Sequence, residues 1–464
     1  MHSLEQLRSG ALAGTRRLDL SAGLSHFPPE IYTLADTLEV LNLSGNQLNA
    51  LPDDLPRLHR LKVIFCSDNA FTTLPAVLGR CAQLEMVGFK ANRIADVPAE
   101  SLPAQLRWLI LTDNAITQLP ATLGWRPRLQ KLMLAGNRLR DLPDLSRCTQ
   151  LELLRLAANR FETLPAWLLD LPRLSWLALA GNPLRAPFGA RPQQPLRPDR
   201  PDIARIAWSQ LQLEHALGEG ASGVIHRALW QPPDQHAPQD GREPPARQHS
   251  PARPVAVKLF KAAMTSDGLP DCEMAACIAA AGHPGLIAVE GVLHAHPEGS
   301  AGLVLALLDP AYRALAGPPS LASCSRDVYA DTLRLPVAAA LAIARRIADV
   351  AAHLHAQGLM HGDLYAHNIL WNGETQQPQC VLSDFGAASF HDPASPAAEA
   401  LQRLEVRAFG CLLEELIERA DAAHAAETDA LAAMAALRDA CLQPQVHARP
   451  SLAQVVGQLA QIGH

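Results

Sequence analysis

Asparagine recurs at a nearly constant interval through the first part of the chain, and this repeat constrains the fold more than any other feature. Each asparagine closes a block of pattern L-x-x-L-x-L-x-x-N. The seven positions are Asn46, Asn69, Asn92, Asn114, Asn137, Asn159 and Asn182. A unit this short cannot bury its leucines alone, so the units must stack into a solenoid with one continuous core. Each amide is suited to hydrogen-bond the backbone of its turn, which predicts a ladder of asparagines.

Blocks such as Leu129 to Asn137 resemble the leucine-rich repeat in both period and pattern. The stretch from Leu18 to Leu24 resembles a degenerate eighth block that would cap the stack, and the recurring Leu-Pro pairs resemble the short bacterial class of these repeats. The resemblance implies an α/β solenoid over positions 1–185. Repeats of this kind bind other proteins and carry no catalysis.

The strand residues that would face the concave side of the solenoid are largely apolar, including two tryptophans. The partner surface expected from them consists of Phe65, Met86, Trp108, Met133 and Trp176. An exposed apolar stripe of this kind predicts a protein-docking surface. Two other interpretations stay open, which are lateral packing between neighbouring strands and docking of the chain's own C-terminal domain.

The stretch at 186–205 is rich in proline and arginine and shows no periodicity, which predicts an extended, semi-rigid linker. A second stretch of biased composition, at 231–254, is predicted to be a disordered loop inside the domain that follows.

The second half of the chain is organised around the stretch from His361 to Gly386. Within H-G-D-L-Y-A-H-N-I-L, Asp363 and Asn368 form a D-x-x-x-x-N pattern, and an Asp-Phe-Gly that begins at Asp384 follows after a short bridge. An aspartate in this position can orient the proton of an attacking hydroxyl, while the amide of Asn368 and the carboxylate of Asp384 offer the hard oxygen ligands that Mg²⁺ prefers. The two motifs together, in this order, favour phosphoryl transfer.

A glycine-rich loop precedes this stretch. Its glycines are Gly218, Gly220 and Gly223, and a strand pattern follows at 224–230. Glycines let a backbone approach phosphate oxygens closely. A dinucleotide-binding fold has the same spacing but requires a helix after the glycines, so the strand argues against it. The strand V-A-V-K then ends at Lys258, and Glu273 follows in a helical stretch.

In this order, the motifs resemble those of eukaryotic-type protein kinases, from the glycine loop to the end of the chain. The resemblance implies a bilobal α+β fold at 206–464, with a small lobe at 206–308 and a large lobe at 309–464. It also implies ATP and Mg²⁺ as cofactors and a Lys258–Glu273 pair that holds Lys258 at the phosphates. The nucleotide site it implies is formed by Leu217, Gly218, Gly220, Gly223, Val224, Ala256, Lys258 and Leu305, with Asp363 as the catalytic carboxylate and Asn368 and Asp384 as metal ligands.

Two positions in the catalytic loop depart from the kinase pattern. Gly362 replaces the arginine that reads a phosphate on the activation loop, and Tyr365 replaces the lysine that neutralises the transferring group. Control by phosphorylation of the activation loop is therefore not expected.

The segment after the Asp-Phe-Gly also departs from the pattern. Asp384 and Glu405 are closer together in the chain than in typical family members, and Ala398-Glu399 is the nearest remnant of an A-P-E triplet. Glu405 stands where the family has an aspartate that braces the catalytic loop, and the stretch that it begins resembles the start of the family's central buried helix. Arg449 is expected to lack its usual glutamate.

The sequence therefore predicts an ATP-dependent protein kinase that phosphorylates a serine or threonine, with the repeats recruiting a partner or restraining the kinase. The first alternative is a pseudokinase scaffold. The second is a small-molecule kinase of the aminoglycoside or choline type, which the complete glycine loop and the Asp-Phe-Gly argue against.

The net charge and composition of the chain limit its expected partners and location. A net charge of −6 and an isoelectric point near 6.3 predict no nucleic-acid or anionic-membrane surface. The N-terminus has no apolar run suited to a signal peptide, and no segment has the length of a membrane span, so a cytoplasmic location is expected. Lysine is scarce among the basic residues relative to arginine, which favours a GC-rich, bacterial genome.

Overall fold

The computed structural model describes residues 2–185, 203–220, 222–232, 251–261, 264–265 and 267–463. Positions 186–202 of the predicted linker and 233–250 of the predicted disordered loop lie outside these ranges, so those two predictions stay untested.

The N-terminal half is a solenoid with a single sheet of eight parallel strands, hydrogen-bonded in chain order. The register places each apolar block directly beside the next, for example Met86 beside Trp108. The strands are β1 (Arg17–Asp19), β2 (Val40–Asn42), β3 (Val63–Phe65), β4 (Met86–Gly88), β5 (Trp108–Ile110), β6 (Lys131–Met133), β7 (Leu153–Arg155) and β8 (Trp176–Ala178). Short 3-10 turns lie between strands, at Pro29–Leu34, Leu55–Arg57, Ala76–Arg80, Ala99–Ser101, Ala121–Trp125 and Ala166–Asp170.

The asparagine ladder predicted from the repeat is confirmed. Asn137 shows the common arrangement, because its Oδ1 accepts from the amide of Ile116 at 3.0 Å and its Nδ2 donates to the carbonyls of Leu111 and Leu134 at 2.9 Å. These bonds join one repeat to the preceding one and satisfy backbone groups that the turn leaves inside the stack. The predicted degenerate block at Leu18 contributes β1, and α1 (Leu4–Arg8), capped by Ser3, closes the N-terminal end.

The C-terminal domain begins with a six-stranded sheet of order β10-β11-β12-β14-β13-β9. Its strands are β9 (Arg205–Ala207), β10 (Leu211–Glu219), β11 (Gly223–Trp230), β12 (Arg253–Phe260), β13 (Val289–His294) and β14 (Gly302–Ala306), and α2 (Pro270–Ala280) packs beside them. Arg205 already pairs with Val292 of β13, just before the predicted start of the domain at position 206.

The second lobe is mainly helical. Its helices are α3 (Val337–Ala356), α4 (Ala398–Arg419), α5 (Ala425–Cys441) and α6 (Leu452–Gln461). Its short strands are β15 (Arg313–Ala314), β16 (Leu335–Pro336), β17 (Leu359–Met360), β18 (Ile369–Trp371), β19 (Cys380–Leu382), β20 (Ser389–Phe390) and β21 (Ala420–Asp421). Further 3-10 turns lie at Trp208–Gln210, Ala366–Asn368 and Val446–Ala448.

One expectation about this lobe is wrong. The stretch from Glu405 was expected to begin a buried helix, but α4 begins at Ala398 and places Glu405 near its middle. Ala398 and Glu399, the nearest remnant of an A-P-E triplet in the sequence, lie in the first turn of this helix. The segment between the Asp-Phe-Gly and α4 therefore spans only 387–397, because the chain re-enters helix earlier than the family pattern suggested.

The two halves of the molecule share their apolar cores. Leu153 and Trp176 of the solenoid are buried among residues of the helical lobe, and Met360 and Leu404 of that lobe are buried among repeat leucines. The solenoid thus packs directly on the C-terminal domain, with its last two strands at the contact. None of the helices in the described part of the chain is both long and apolar enough to cross a membrane.

Candidate active site

Lys258 and Glu273 form an ion pair inside the small lobe. Lys258 Nζ contacts Glu273 Oε1, and the two side chains are 13% and 2% exposed. Strand β12 carries the lysine and the first turn of α2 carries the glutamate, so the pair joins the sheet to the helix. Burial lowers the pKa of Lys258, but the carboxylates of Glu273 and Asp384 raise it further, so the net direction is upward and the ammonium stays charged.

The catalytic loop is held by the carboxylate of Glu405. Its Oε1 accepts from the amide of Gly362 at 2.6 Å, and its Oε2 accepts from the amide of His361 at 3.2 Å and lies 2.8 Å from His355 Nε2. Burial raises the pKa of Glu405, but the bond to His355, the positive charges of His355 and His361 and the amide of Gly362 together outweigh burial and lower the pKa. Glutamate therefore reaches the loop where the family pattern has a shorter aspartate.

Asp363 and Asn368 face each other within this loop. Asn368 Nδ2 donates to the carbonyl of Asp363 at 2.9 Å and to its Oδ2 at 3.0 Å. Because the amide nitrogen is used in this way, the amide oxygen of Asn368 is left as a hard ligand beside the carboxylate. Burial alone would raise the pKa of Asp363, but its cationic neighbours, Arg155 first among them, outweigh burial and lower the pKa.

Asp384 adopts a left-handed backbone, with a φ of 59°. An aspartate in this region is uncommon, and such residues cluster at functional sites. Its Oδ1 accepts from the amide of Gly386 at 3.1 Å, and a Cβ at Gly386 would lie 3.2 Å from the same oxygen. Glycine thus leaves room beside the carboxylate, as a bound cation would require.

The glycine loop lies between β10 and β11, which are neighbours in the sheet. A Cβ at Gly218 or Gly220 would meet nothing within 4 Å, whereas a Cβ at Gly223 would lie 2.4 Å from the carbonyl of Leu259. The first two glycines therefore leave open space for a ligand, and the third is required by packing on β12. The open backbone and the oxygen donors of Asn368 and Asp384 fit a phosphate group with its metal.

The residues expected around the nucleotide base lie on adjoining strands of the small lobe. Ala256 pairs with Leu305 across β12 and β14, and Val224 pairs with Glu219 at the end of the glycine hairpin. Leu217 is 47% exposed on β10. These pairings place the predicted residues on one sheet, and the role assigned to each of them stays a prediction.

One residue of the solenoid reaches into the catalytic loop. Arg155, the last residue of β7, is 2% exposed and directs its guanidinium into the catalytic loop. Its Nη2 donates to Asp363 Oδ1, its Nη1 donates to the carbonyl of Gly362 at 3.0 Å, and its Nε donates to Asp267 Oδ1 at 2.6 Å. Burial alone would lower the pKa of Arg155, but the carboxylates of Asp363 and Asp267 overcome burial and raise the pKa.

Trp176 makes the second contact between the solenoid and the catalytic loop. Its ring stacks on Tyr365 with centroids 4.2 Å apart and planes 8° from parallel, and its Nε1 donates to the carbonyl of Leu364 at 3.1 Å. Docking of the chain's own C-terminal domain, one of the interpretations left open by the sequence, accounts for the burial of Trp176.

The expected exposed stripe on the concave face is therefore only partly present. The expectation is wrong for Trp176, which is 1% exposed, and for Met86, which is buried as well. Phe65, Trp108 and Met133 are half-buried. An external partner on this face stays a prediction.

Arg449 illustrates how the solenoid replaces missing parts of the second lobe. It is buried and donates to three carbonyls, those of Gln443 and Arg403 in the lobe and that of Pro172 in the solenoid at 2.8 Å. No acidic partner of Arg449 occurs among the described residues, and burial lowers its pKa to about 10. Pro172 also accepts from Arg407 Nε at 3.2 Å.

Three residues at this site were missed from the sequence. Arg155 lies in the same concave column as Met133, where the apolar members alone suggested a docking surface. Asp267 lies in the connection before α2, where no motif points to it. Asp327 lies in a stretch without regular structure and bonds His367 through Nδ1 at 2.7 Å. A charged residue at a concave position in an apolar column is the one signal that sequence reasoning could have used.

Comparison with known proteins divides the chain in the same way. Residues 306–427 match the model of the lipopolysaccharide kinase (Kdo/WaaP) family. Residues 37–58 and 127–184 match two leucine-rich repeat models.

The chain is also similar to serine/threonine-protein kinase PkaA of Streptomyces coelicolor, with 31% identity over 194 residues. The aligned stretch is 40% of this chain and 31% of PkaA, so the chain spans about a third of the length of this relative. Together with the two folds described above, these matches show a chain that is similar to leucine-rich repeats in its N-terminal half and to kinase families in its C-terminal half.

Proposed function

We propose that the chain is an ATP-dependent protein kinase that transfers the γ-phosphoryl group to a serine or threonine hydroxyl. The observation that carries the proposal is the proximity of these side chains: Lys258 pairs with Glu273 and is close enough to Asp384 to feel its charge, and Asn368 bonds Asp363. The similarity to a serine/threonine-protein kinase supports the class of acceptor.

Each residue has a distinct part in this reaction. Lys258, held by Glu273, would bind the phosphates of ATP as a fixed positive charge. Asn368 and Asp384 would hold Mg²⁺, whose charge neutralises the phosphate oxygens. Asp363 would orient the acceptor hydroxyl and take its proton as the hydroxyl oxygen bonds to the γ-phosphorus and ADP leaves. Catalysis of this kind rests on positioning and electrostatics, without a covalent enzyme intermediate.

A second candidate is transfer to a sugar hydroxyl. The match to the lipopolysaccharide kinase family favours it, as does the short connection at 387–397, which leaves little chain for binding an extended peptide. The chemistry at phosphorus is the same in both cases, and only the acceptor differs. A nucleotide-binding scaffold without turnover is the remaining alternative.

The decisive experiment is transfer of labelled phosphate from Mg·ATP by the purified full-length chain, followed over hours so that a slow rate is seen. The acceptors are the chain itself, a generic protein and a lipopolysaccharide core oligosaccharide. Lys258→Met and Asp363→Asn serve as inactive controls. Label on protein that both changes abolish, identified as phosphoserine or phosphothreonine after acid hydrolysis, is the expected result. Label on the oligosaccharide alone would favour the second candidate, and nucleotide binding without any label would favour the scaffold.

A further inference from the structure

The contact between the solenoid and the catalytic loop lies on the side of the site that an acceptor must approach. Both carboxylate oxygens of Asp363 are engaged, Oδ1 by Arg155 and Oδ2 by Asn368. The side chain of Asp363 is 15% exposed. Because each oxygen of a carboxylate can accept two hydrogen bonds, an acceptor hydroxyl must compete with Arg155 and Asn368 for the small part of Asp363 that stays exposed.

The backbone of the solenoid closes the same approach. A Cβ at Gly362 would lie 2.7 Å from the carbonyl of Leu177 in β8 and 2.5 Å from that of Ala387. Only a residue without a side chain, and with a φ of 73°, fits between these two carbonyls. The arginine that this position has in protein kinases would meet both the carbonyl of Ala387 in the same domain and the docked solenoid, so Gly362 suits the contact with the repeat face.

The nucleotide side of the cleft is assembled in spite of this contact. The Lys258–Glu273 pair is formed and Asp384 is in place, while Gly218 and Gly220 have open space beside them. The solenoid thus obstructs the acceptor and leaves the machinery for ATP intact.

Arg155 could in principle serve the transferred phosphoryl group, as a substitute for the lysine that Tyr365 replaces. The contacts argue against this role. Each of its three nitrogens donates to a protein oxygen, and the side chain is 2% exposed, so little of the guanidinium is open to a ligand. An arginine that pairs with the catalytic carboxylate also makes this carboxylate a weaker proton acceptor.

We propose that the solenoid is an intramolecular inhibitor of the kinase domain, in which Arg155 takes the place of the acceptor hydroxyl at Asp363. The proposal rests on the proposed function, since it assumes a reaction at Asp363. Activation then requires the face of Arg155 and Trp176 to separate from the catalytic loop. A contact of this kind is a coupling between two domains, and such couplings change an equilibrium by roughly five- to 150-fold.

The test compares four forms of the full-length chain, which are wild type, Arg155→Ala, Asp267→Asn and the control Arg160→Ala. Arg160 is an exposed arginine of the same repeat. We expect Arg155→Ala to raise the initial rate of phosphate transfer about tenfold or more, and Asp267→Asn to raise it by less. Arg160→Ala should leave the rate unchanged. Asp267→Asn keeps the test decisive if Arg155→Ala fails to fold, because it loosens Arg155 without emptying a buried position.

A fall in the rate in Arg155→Ala and in Asp267→Asn would overturn the proposal and place Arg155 in the catalytic machinery. Hydrogen exchange of the amides at 361–368 measures whether the solenoid is docked on the catalytic loop. Because this measurement needs no phosphate transfer, it tests the proposal separately from the proposed function. If no form transfers phosphate, faster exchange in Arg155→Ala than in Arg160→Ala would still support the docked contact. Equal exchange in the two variants would overturn it.

Discussion

Two buried ion pairs in the candidate active site differ in origin. The Lys258–Glu273 pair joins two elements of one lobe that are close in the chain, and both residues belong to motifs. The Arg155–Asp363 pair joins two domains that are distant in the chain, and only Asp363 belongs to a motif. The proposed role of the first pair is to bind the phosphates of ATP, and the proposed role of the second is to close the site to an acceptor. A buried ion pair can therefore support binding of a substrate or block it, depending on whether the cation comes from the same domain or from the solenoid.

Removing the cation of the first pair should have the largest effect. We expect Lys258→Met to lower phosphate transfer by about a thousandfold, since one electrostatic contact to a transition state contributes about 10²–10³ and the change also frees Glu273. Lys62→Met, at an exposed position in the solenoid, is the matched control. Transfer that persists at the wild-type rate in Lys258→Met would show that this pair is structural.

Breaking the packing that supports the second pair should cost stability. Trp176→Ala removes the stack on Tyr365 and leaves a cavity between the domains, so the free energy of unfolding should fall by about 3 kcal/mol. Trp125→Ala is the control, because Trp125 is 65% exposed and its loss should change the free energy by no more than about 0.5 kcal/mol. Denaturant titration of both variants measures the difference. Equal values for the two would mean that the solenoid is not held at the catalytic loop.

Glu415, a buried carboxylate outside both pairs, shows how burial in this lobe makes stability depend on pH. Burial raises the pKa of Glu415 to about 6, although Arg326 opposes the shift through its contact at 2.7 Å. Since the folded-state pKa lies above the unfolded value near 4.5, the folded state binds more protons between these two values. Stability should therefore fall as the pH rises from 4.5 through 6, by up to about 2 kcal/mol from this group.

Glu415→Gln should remove this dependence, as measured by denaturant titration at several pH values that bracket the two pKa values. A wild-type curve that rises over this range, with no difference from the variant, would contradict the assignment.

The smallest effect concerns phosphorylation of the chain itself. Gly362 replaces the arginine that would read a phosphate, and the connection at 387–397 is short, so phosphatase treatment should change the transfer rate by less than about twofold. The measurement is the initial rate before and after treatment. A large loss of rate would show that a phosphate on the chain supports the active form.

Much of the structure was predictable because it depends on sequence patterns that repeat at a fixed period or lie within a short stretch of chain. The period of Asn46 to Asn182 specified the stacking of strands, since each repeat makes the same contacts to its neighbour. The residues of the cleft were predictable as a set, because phosphoryl transfer requires particular residue types at short spacings. The extent of α4 was not, because helical propensity does not mark its start and Ala397, at its N-cap, provides no side-chain hydrogen bond.

The sequence by itself determined the two folds, and it predicted the residues of the candidate active site. The tertiary structure decided how the two folds meet, and with it the partners of Asp363, Tyr365 and Arg449. The physical reason is that the repeat pattern shows which residues share a face of the solenoid but not what packs on that face. From the sequence, Arg155 cannot be distinguished from a solvent-exposed arginine. Only the docked geometry buries its guanidinium between two carboxylates and turns a surface charge into a contact at the catalytic aspartate.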